Sequence, residues 1–285
     1  MRVAGVRGRW RKRDRMIQIK TPDEIALMRE AGLVVARTLQ RLRAAVAPGI
    51  STAELDRIAE ESIRAEGAVP SFKGYRGFPA TICTSVDDEV VHGIPSRQRR
   101  LRAGDLISID CGAIVDGWHG DSAVTVPVGA VGPELHELMR VTEESMWAGF
   151  AAAIVGGRLT DISAAVERSI RSAPSGPYGI VDHYGGHGIG TEMHQDPHVL
   201  NHGRPGRGPR LVPGLALAIE PMVTLGGAAT RELDDGWTVV TVDGSYAAHF
   251  EHTVGITDDG PWVLTAEDGG AAKLAEYGVK VAQRA

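Results

Sequence analysis

Residues 106–126 read Leu106-Ile-Ser-Ile-Asp-Cys-Gly-Ala-Ile-Val-Asp-Gly-Trp-His-Gly-Asp-Ser-Ala-Val-Thr-Val126. Two apolar, β-branched runs flank Asp116-Gly117, a dipeptide that tolerates positive φ and favours a two-residue hairpin turn. With those two residues as the loop, Val115 pairs with Trp118 and Asp121 faces Gly112. Gly112 lies two positions from Asp110, and alternate strand residues share a face. Both carboxylates therefore project from one side of the ribbon. Diagonal neighbours have backbones ~7–8 Å apart, which leaves room for metal ions between the side chains, and Gly112 adds no side chain to that space.

Five more ionisable residues sit in apolar or glycine-rich settings of this kind. His92 ends the run Glu89-Val-Val-His, His187 lies in Tyr184-Gly-Gly-His-Gly-Ile-Gly, and His194 lies in Met193-His-Gln-Asp-Pro. Glu220 closes Leu215-Ala-Leu-Ala-Ile-Glu, and Glu251 lies in Ala248-His-Phe-Glu-His-Thr-Val. Charge is disfavoured in such places unless something compensates it. Four carboxylates in one interior would repel, and a pair of divalent cations removes that conflict. The glycines around His187 would let its backbone approach a ligand, and imidazole suits borderline divalent metals. Glu220, at the end of an apolar strand, needs a cation or a proton. His92 and His194 are candidates for handling a substrate. Strand alternation places His249 and His252 on the opposite face from Glu251, so both are left out of the metal shell. His119, His136, His183, His198 and His202 read as solvated or as supporting residues.

The chain has 285 residues, 43% hydrophobic and 24% charged, with a net charge of -5. These are ordinary values for a soluble globular domain, and the balance argues against nucleic-acid binding by the domain as a whole. No apolar run approaches the ~20 residues of a membrane span, and no secretion signal is recognisable. Cys83 and Cys111 lack metal-finger spacing and read as reduced thiols of a cytoplasmic protein. The first fifteen residues carry Arg2, Arg7, Arg9, Arg11, Lys12, Arg13 and Arg15. This basic segment reads as an arm that touches RNA, such as the ribosome, as a disordered tail, or as the result of a start assigned too early, ahead of Met16.

Residues 16–285 read as one domain. Thr21, Pro22 and Glu24 form a helix start, followed by Ile25, Met28, Val35, Leu39 and Leu42 at helical spacing up to Pro48-Gly49. A second helix opens at Ser51-Thr52 and runs to Gly67. Strands are expected at 80–85, 106–115 and 118–126. The same order recurs: a helix from Pro133 to Gly156-Gly157, another from about Thr160, then strands at 215–220, 238–242 and 249–256 and a short helix after Thr265. Leu27-Met-Arg29 matches Leu138-Met-Arg140, and Ser62-Ile-Arg64 matches Ser169-Ile-Arg171 at nearly the same offset. This suggests an internal duplication, about 21–126 and 133–256. Two such halves would enclose a cleft between them.

Cys83-Thr-Ser-Val-Asp-Asp-Glu-Val-Val-His-Gly-Ile-Pro, Asp110 with His119-Gly-Asp121, Gly186-His-Gly-Ile-Gly, Ile219-Glu-Pro-Met and Phe250-Glu-His-Thr occur here in order. Through them the chain, from Thr21 to Thr265, resembles the type I methionine aminopeptidases in their minimal bacterial form. The resemblance implies an α+β pita-bread fold: two pseudo-symmetric helix-helix-sheet halves around a central antiparallel sheet with a dinuclear metal cleft. It implies that Asp121, His187, Glu220 and Glu251 hold one metal, and that Asp110 holds a second with Asp121 and Glu251 shared. The metals would generate a nucleophile from water and polarise the first peptide carbonyl. Glu220 would move a proton to the leaving amine, His194 would stabilise the oxyanion, and His92 would bind the peptide beyond the scissile bond. The free amino group of the substrate would sit at the second metal.

The methionine pocket would be lined by Tyr75, Phe78, Cys83, Met193 and Trp237. Phe78 stands where tyrosine is common in the family, and Met193 where phenylalanine is common, so the pocket departs from that of some relatives. The implied substrates are nascent chains with an N-terminal methionine and a small second residue, and the implied form is a cytoplasmic monomer. Cobalt, manganese, iron and zinc all suit these ligands. A prolidase or aminopeptidase P on the same fold is the alternative enzyme. A metal-free binding protein would have lost ligands that this chain retains.

Overall fold

The computed structural model describes residues 17–281. The basic segment at 1–15 lies outside them, as does Met16. Helix α1, Pro22–Ala45, starts at a capping box in which Glu24 N–H donates to the Thr21 hydroxyl and Thr21 N–H to the Glu24 carboxylate. Helix α2, Thr52–Ala65, repeats the device with Ser51 and Glu54. Helix α3, Pro133–Ala151, has proline in its first turn, and α4 spans Leu159–Arg171. A short α5, Ala271–Glu276, lies near the C-terminal end of the described chain.

Helices α1 and α2 pack on a four-stranded antiparallel sheet built around the hairpin Leu106–Val115 and Trp118–Pro127. Its register pairs Val115 with Trp118 and Gly112 with Asp121, as the Asp116-Gly117 turn requires. Both turn residues have positive φ, 48° and 83°. Helices α3 and α4 pack on each other, and α3 also lies on the three-stranded sheet of Ala247–His249, Met222–Thr224 and Gly179–Ile180. A five-stranded sheet holds Gly260–Val263, His252–Thr257, Ala216–Ile219, Gly186–Gly188 and Gln195–Val199 in that order. Thr230–Glu232, Val239–Thr241 and Glu89–Val91 form a small outer sheet. One buried core runs through both halves, with Leu42, Leu55, Ile63 and Ile109 on one side and Leu138, Phe150, Ile162 and Val166 on the other. Complete burial of each such side chain contributes about 1.5–3 kcal/mol.

The halves pair through Glu89–Val91 and Val239–Thr241, and beside the hairpin they meet at a seam where the backbone ladder shrinks to one antiparallel bridge, Ala123 to Glu251. Side-chain hydroxyls complete it. Thr253 donates to the Asp121 carbonyl at 2.8 Å and accepts from the Asp121 N–H at 3.1 Å. Thr125 does the same for His249 at 2.8 and 2.9 Å, and Ser122 donates to the Glu251 carbonyl at 2.6 Å.

The segment 249–256 is not one strand. Ala247–His249 belongs to the three-stranded sheet and His252–Thr257 to the five-stranded sheet, and the chain changes sheets at Phe250-Glu251. Glu220 occupies an equivalent place, between Ala216–Ile219 and Met222–Thr224 of the same two sheets.

Candidate metal centre

A cavity of about 250 Å³ opens at the seam, lined by all seven scattered ionisable residues and by all five residues assigned to the methionine pocket. Asp110 and Asp121 project into the cavity from the two strands of the hairpin. Glu220 and Glu251 reach in from the two sheet changes, and His187 from the strand Gly186–Gly188. One ligand atom each from Asp121, His187 and Glu251 lie within 4.8 Å of one another, and so do those of Glu220, His249 and Glu251. Asp110 lines the cavity but belongs to neither trio.

His187 Nδ1 lies 3.0 Å from the Gly188 carbonyl, to which it donates. That turns Nε2 toward Glu220 at 3.6 Å and Asp121 at 4.0 Å. A backbone acceptor of this kind fixes the tautomer of a metal-ligating histidine. The glycines beside His187 serve the sheet rather than a ligand. A Cβ on Gly186 would lie 2.1 Å from the Ala218 carbonyl oxygen, and one on Gly188 2.3 Å from that of Asp196.

Two placements correct the sequence reading. His249 faces the site: it is buried, and its Nε2 lies 3.5 Å from Glu220 Oε2. The alternation rule fails because the strand ends between His249 and Glu251. His252 does face away, with Nδ1 against the Thr265 and Ser122 hydroxyls and the ring beside Trp147. His119 is buried within the hairpin strand, its Nδ1 3.0 Å from the Ser71 hydroxyl.

Burial pushes the Asp110 carboxyl up to about 7, against the pull of nearby His249. Burial, reinforced by neighbouring carboxylates, raises Asp121 and Glu251 well above the ordinary range. Burial also acts to raise Glu220, but the His249 and His187 rings, 3.5 and 3.6 Å from its oxygens, outweigh it and hold that carboxylate low. Asp110 Oδ1, Asp121 Oδ1 and Glu251 Oε1 are buried without any hydrogen-bond partner. Unpaired buried oxygens are costly. A carboxylate and imidazole set that leaves them so aimed fits divalent metal.

The opposite end of the cavity is apolar. Phe72, Phe78, Ala80, Cys83 and Met193 form one buried cluster, with Tyr75, Ile94 and Trp237 packed against it. Phe72 escaped the sequence reading, although Gly112 signals it. A Cβ on Gly112 would lie 2.8 Å from Phe72 Cε1 and 2.9 Å from Ser71 Cβ. The space beside that glycine is thus filled by the pocket wall and is not left for metal. His92 has φ 62°, rare for a non-glycine residue, and its ring packs edge-on to Tyr184 and Trp237. His194 stands at the exposed rim. Its ring stacks on Tyr75, its Nδ1 lies 3.0 Å from the Tyr75 hydroxyl, and the His187 ring is 4.2 Å away.

The sequence profile of metallopeptidase family M24 matches residues 26–258. The chain belongs to this family. Among M24 relatives, methionine aminopeptidase 1 of Mycobacterium tuberculosis is 54% identical over 266 residues, covering 92% of this chain and 98% of that protein. The structure of a methionine aminopeptidase from Thermotoga maritima matches with a TM-score of 0.86 at 42% identity, covering 88% of this chain and 100% of that one. A prolidase from Pyrococcus furiosus matches at TM-score 0.70 and 23% identity, and the match covers 65% of its length. That likeness is one of fold alone. The architecture is the M24 pita-bread fold, and within the family the chain groups with the methionine aminopeptidases.

Proposed function

We propose that this chain is a metal-dependent aminopeptidase that removes the initiator methionine from nascent proteins whose second residue is small. The convergence of five metal-ligand candidates, four of them buried, with an apolar pocket in one cavity carries the reading. Asp121, His187, Glu220 and Glu251 would hold one divalent ion, and Asp110, with Asp121 and Glu251 shared, a second. When bound, the ions supply a nucleophile from water at neutral pH and polarise the scissile carbonyl.

The remaining chemistry falls to the chain's own groups. Phe72, Phe78, Cys83, Met193, Tyr75 and Trp237 enclose the methionine side chain, and a flexible methionine suits a thioether. Glu220, held ionised by His249 and His187, accepts a proton and passes it to the leaving amine. Although His194 stands at the rim, desolvation of its ring and then the neighbouring His187 lower its pKa and favour the neutral form. With the Tyr75 hydroxyl donating to Nδ1, the proton of that ring sits on Nε2, ready to be given to the oxyanion. His92 steadies the leaving peptide from a strained backbone, a pairing of strain with function seen at many sites. The rings of His92, Tyr184 and Trp237 crowd the next position, which favours a small second residue.

In this reading one chain suffices as the active unit, a monomer, and it meets its nascent substrates in the cytoplasm. The segment 1–15, with its seven cations, contacts the ribosome in this reading. Equal ribosome binding by a chain starting at Met16 would remove that part. The reading as a whole predicts that peptides beginning Met-Ala or Met-Gly release free methionine in the presence of divalent metal, whereas Met-Lys peptides do so poorly. Equal cleavage of all three would contradict the size limit.

A further inference from the structure

We propose that Arg76 is a specificity residue that recognises an acidic side chain at the third or fourth position of the substrate. The proposal rests on the aminopeptidase reading above. A second cavity of about 260 Å³ adjoins the first and shares with it His92, His187, His194, Glu220 and Arg76, but none of the apolar pocket. With methionine in that pocket, the rest of the peptide leaves through the second cavity, past Arg76.

The conformation of Arg76 is unusual. It has φ 48° and ψ 24°, in the left-handed region, while Gly74 and Gly77 beside it take φ 88° and 91°. An arginine there is less favourable than a third glycine, which points to a use for the side chain. The exposed guanidinium lies 5.2 Å from the Tyr75 ring centroid, over the ring that stacks on His194. Among the described residues no carboxylate forms an ion pair with it. A cation is thus held at the mouth of the site with its charge available to a ligand. Asp196 lines the second cavity as well, so acidic residues are favoured only at the position Arg76 reaches.

The test uses amidated pentapeptides Met-Ala-X-Ala-Ala and Met-Ala-Ala-X-Ala with X as Asp, Asn or Lys, cleaved by the metal-loaded full chain. Amidation removes the terminal carboxylate, the other source of the same chemistry. At one of the two positions Asp is expected to exceed Asn by about two- to five-fold in kcat/KM, mainly through KM, with Lys lower still. The preference shrinks as salt is raised. It disappears in R76Q and R76G and inverts in R76E. Release of methionine from every peptide at equal rates, or an Asp-to-Lys ratio unchanged in R76E, would overturn the proposal while leaving the aminopeptidase reading intact. Dependence on Arg76 seen only with free-acid peptides would also overturn it, in favour of terminal-carboxylate binding. No release from any peptide would instead remove the reading on which it rests.

Discussion

The buried carboxylates determine how the metal-free protein responds to pH. Asp110 is raised to about 7, and Asp121 and Glu251 are raised well above their ordinary values. The native state therefore holds protons that the unfolded chain releases near pH ~4. Stability from these groups is full below that point and is lost as pH rises through the folded values. Chelator-treated protein should accordingly lose several degrees of Tm between about pH 5 and pH 8. Manganese or cobalt should restore the loss, because metal replaces the protons. A flat Tm across that range would argue against a buried cluster. For the rim histidine, His194→Ala should lower kcat by about 10²–10³-fold, and Tyr75→Phe by about tenfold as the Nε2–H tautomer loses its partner. Steady-state kinetics on a Met-Ala peptide would check both. The ionisable residues were legible because charge in an apolar run is conspicuous. Phe72 and His249 were not, since an aromatic near a strand and a histidine beside a glutamate carry no sign of the face they take.

At the scale of elements, the seam is where sequence and structure diverge most. The helix starts were readable from Thr21-Pro22 and Ser51, and the hairpin from Asp116-Gly117, because each is set by local chemistry. The strands of two or three residues, such as Gly179–Ile180 and Met222–Thr224, owe their form to the backbone beside them and leave no periodic pattern. The sheet change at Phe250-Glu251 is of the same kind. It falsifies a simple alternation count and brings His249 round to Glu220. The hydroxyls that bridge this region act in place of a ladder. Thr253→Val removes both the acceptor for the Asp121 N–H and the donor to its carbonyl. It should cost about 1–3 kcal/mol in chemical denaturation and weaken metal binding by about tenfold or more, whereas Thr253→Ser should recover most of both. A valine variant with wild-type metal affinity would show that the seam does not position Asp121.

For the whole molecule, the cluster belongs to neither half alone. Asp110 and Asp121 come from the hairpin of the first half, and His187, Glu220 and Glu251 from the sheets of the second. Metal bound there would link the halves, and in the proposed reading catalysis and cohesion would draw on the same five side chains. The pita-bread resemblance was legible in short ordered motifs. The cleft itself emerges only when both halves are packed, as no single segment contains it. Release of free methionine from a Met-Ala peptide, followed anaerobically while metal-free protein is titrated with manganese, iron, cobalt or zinc, tests the central claim most directly. Activity should be absent before metal, rise with at least one of these ions, and be lost in Glu251→Gln. Failure of correctly folded wild-type protein to release methionine with any of them would contradict the account.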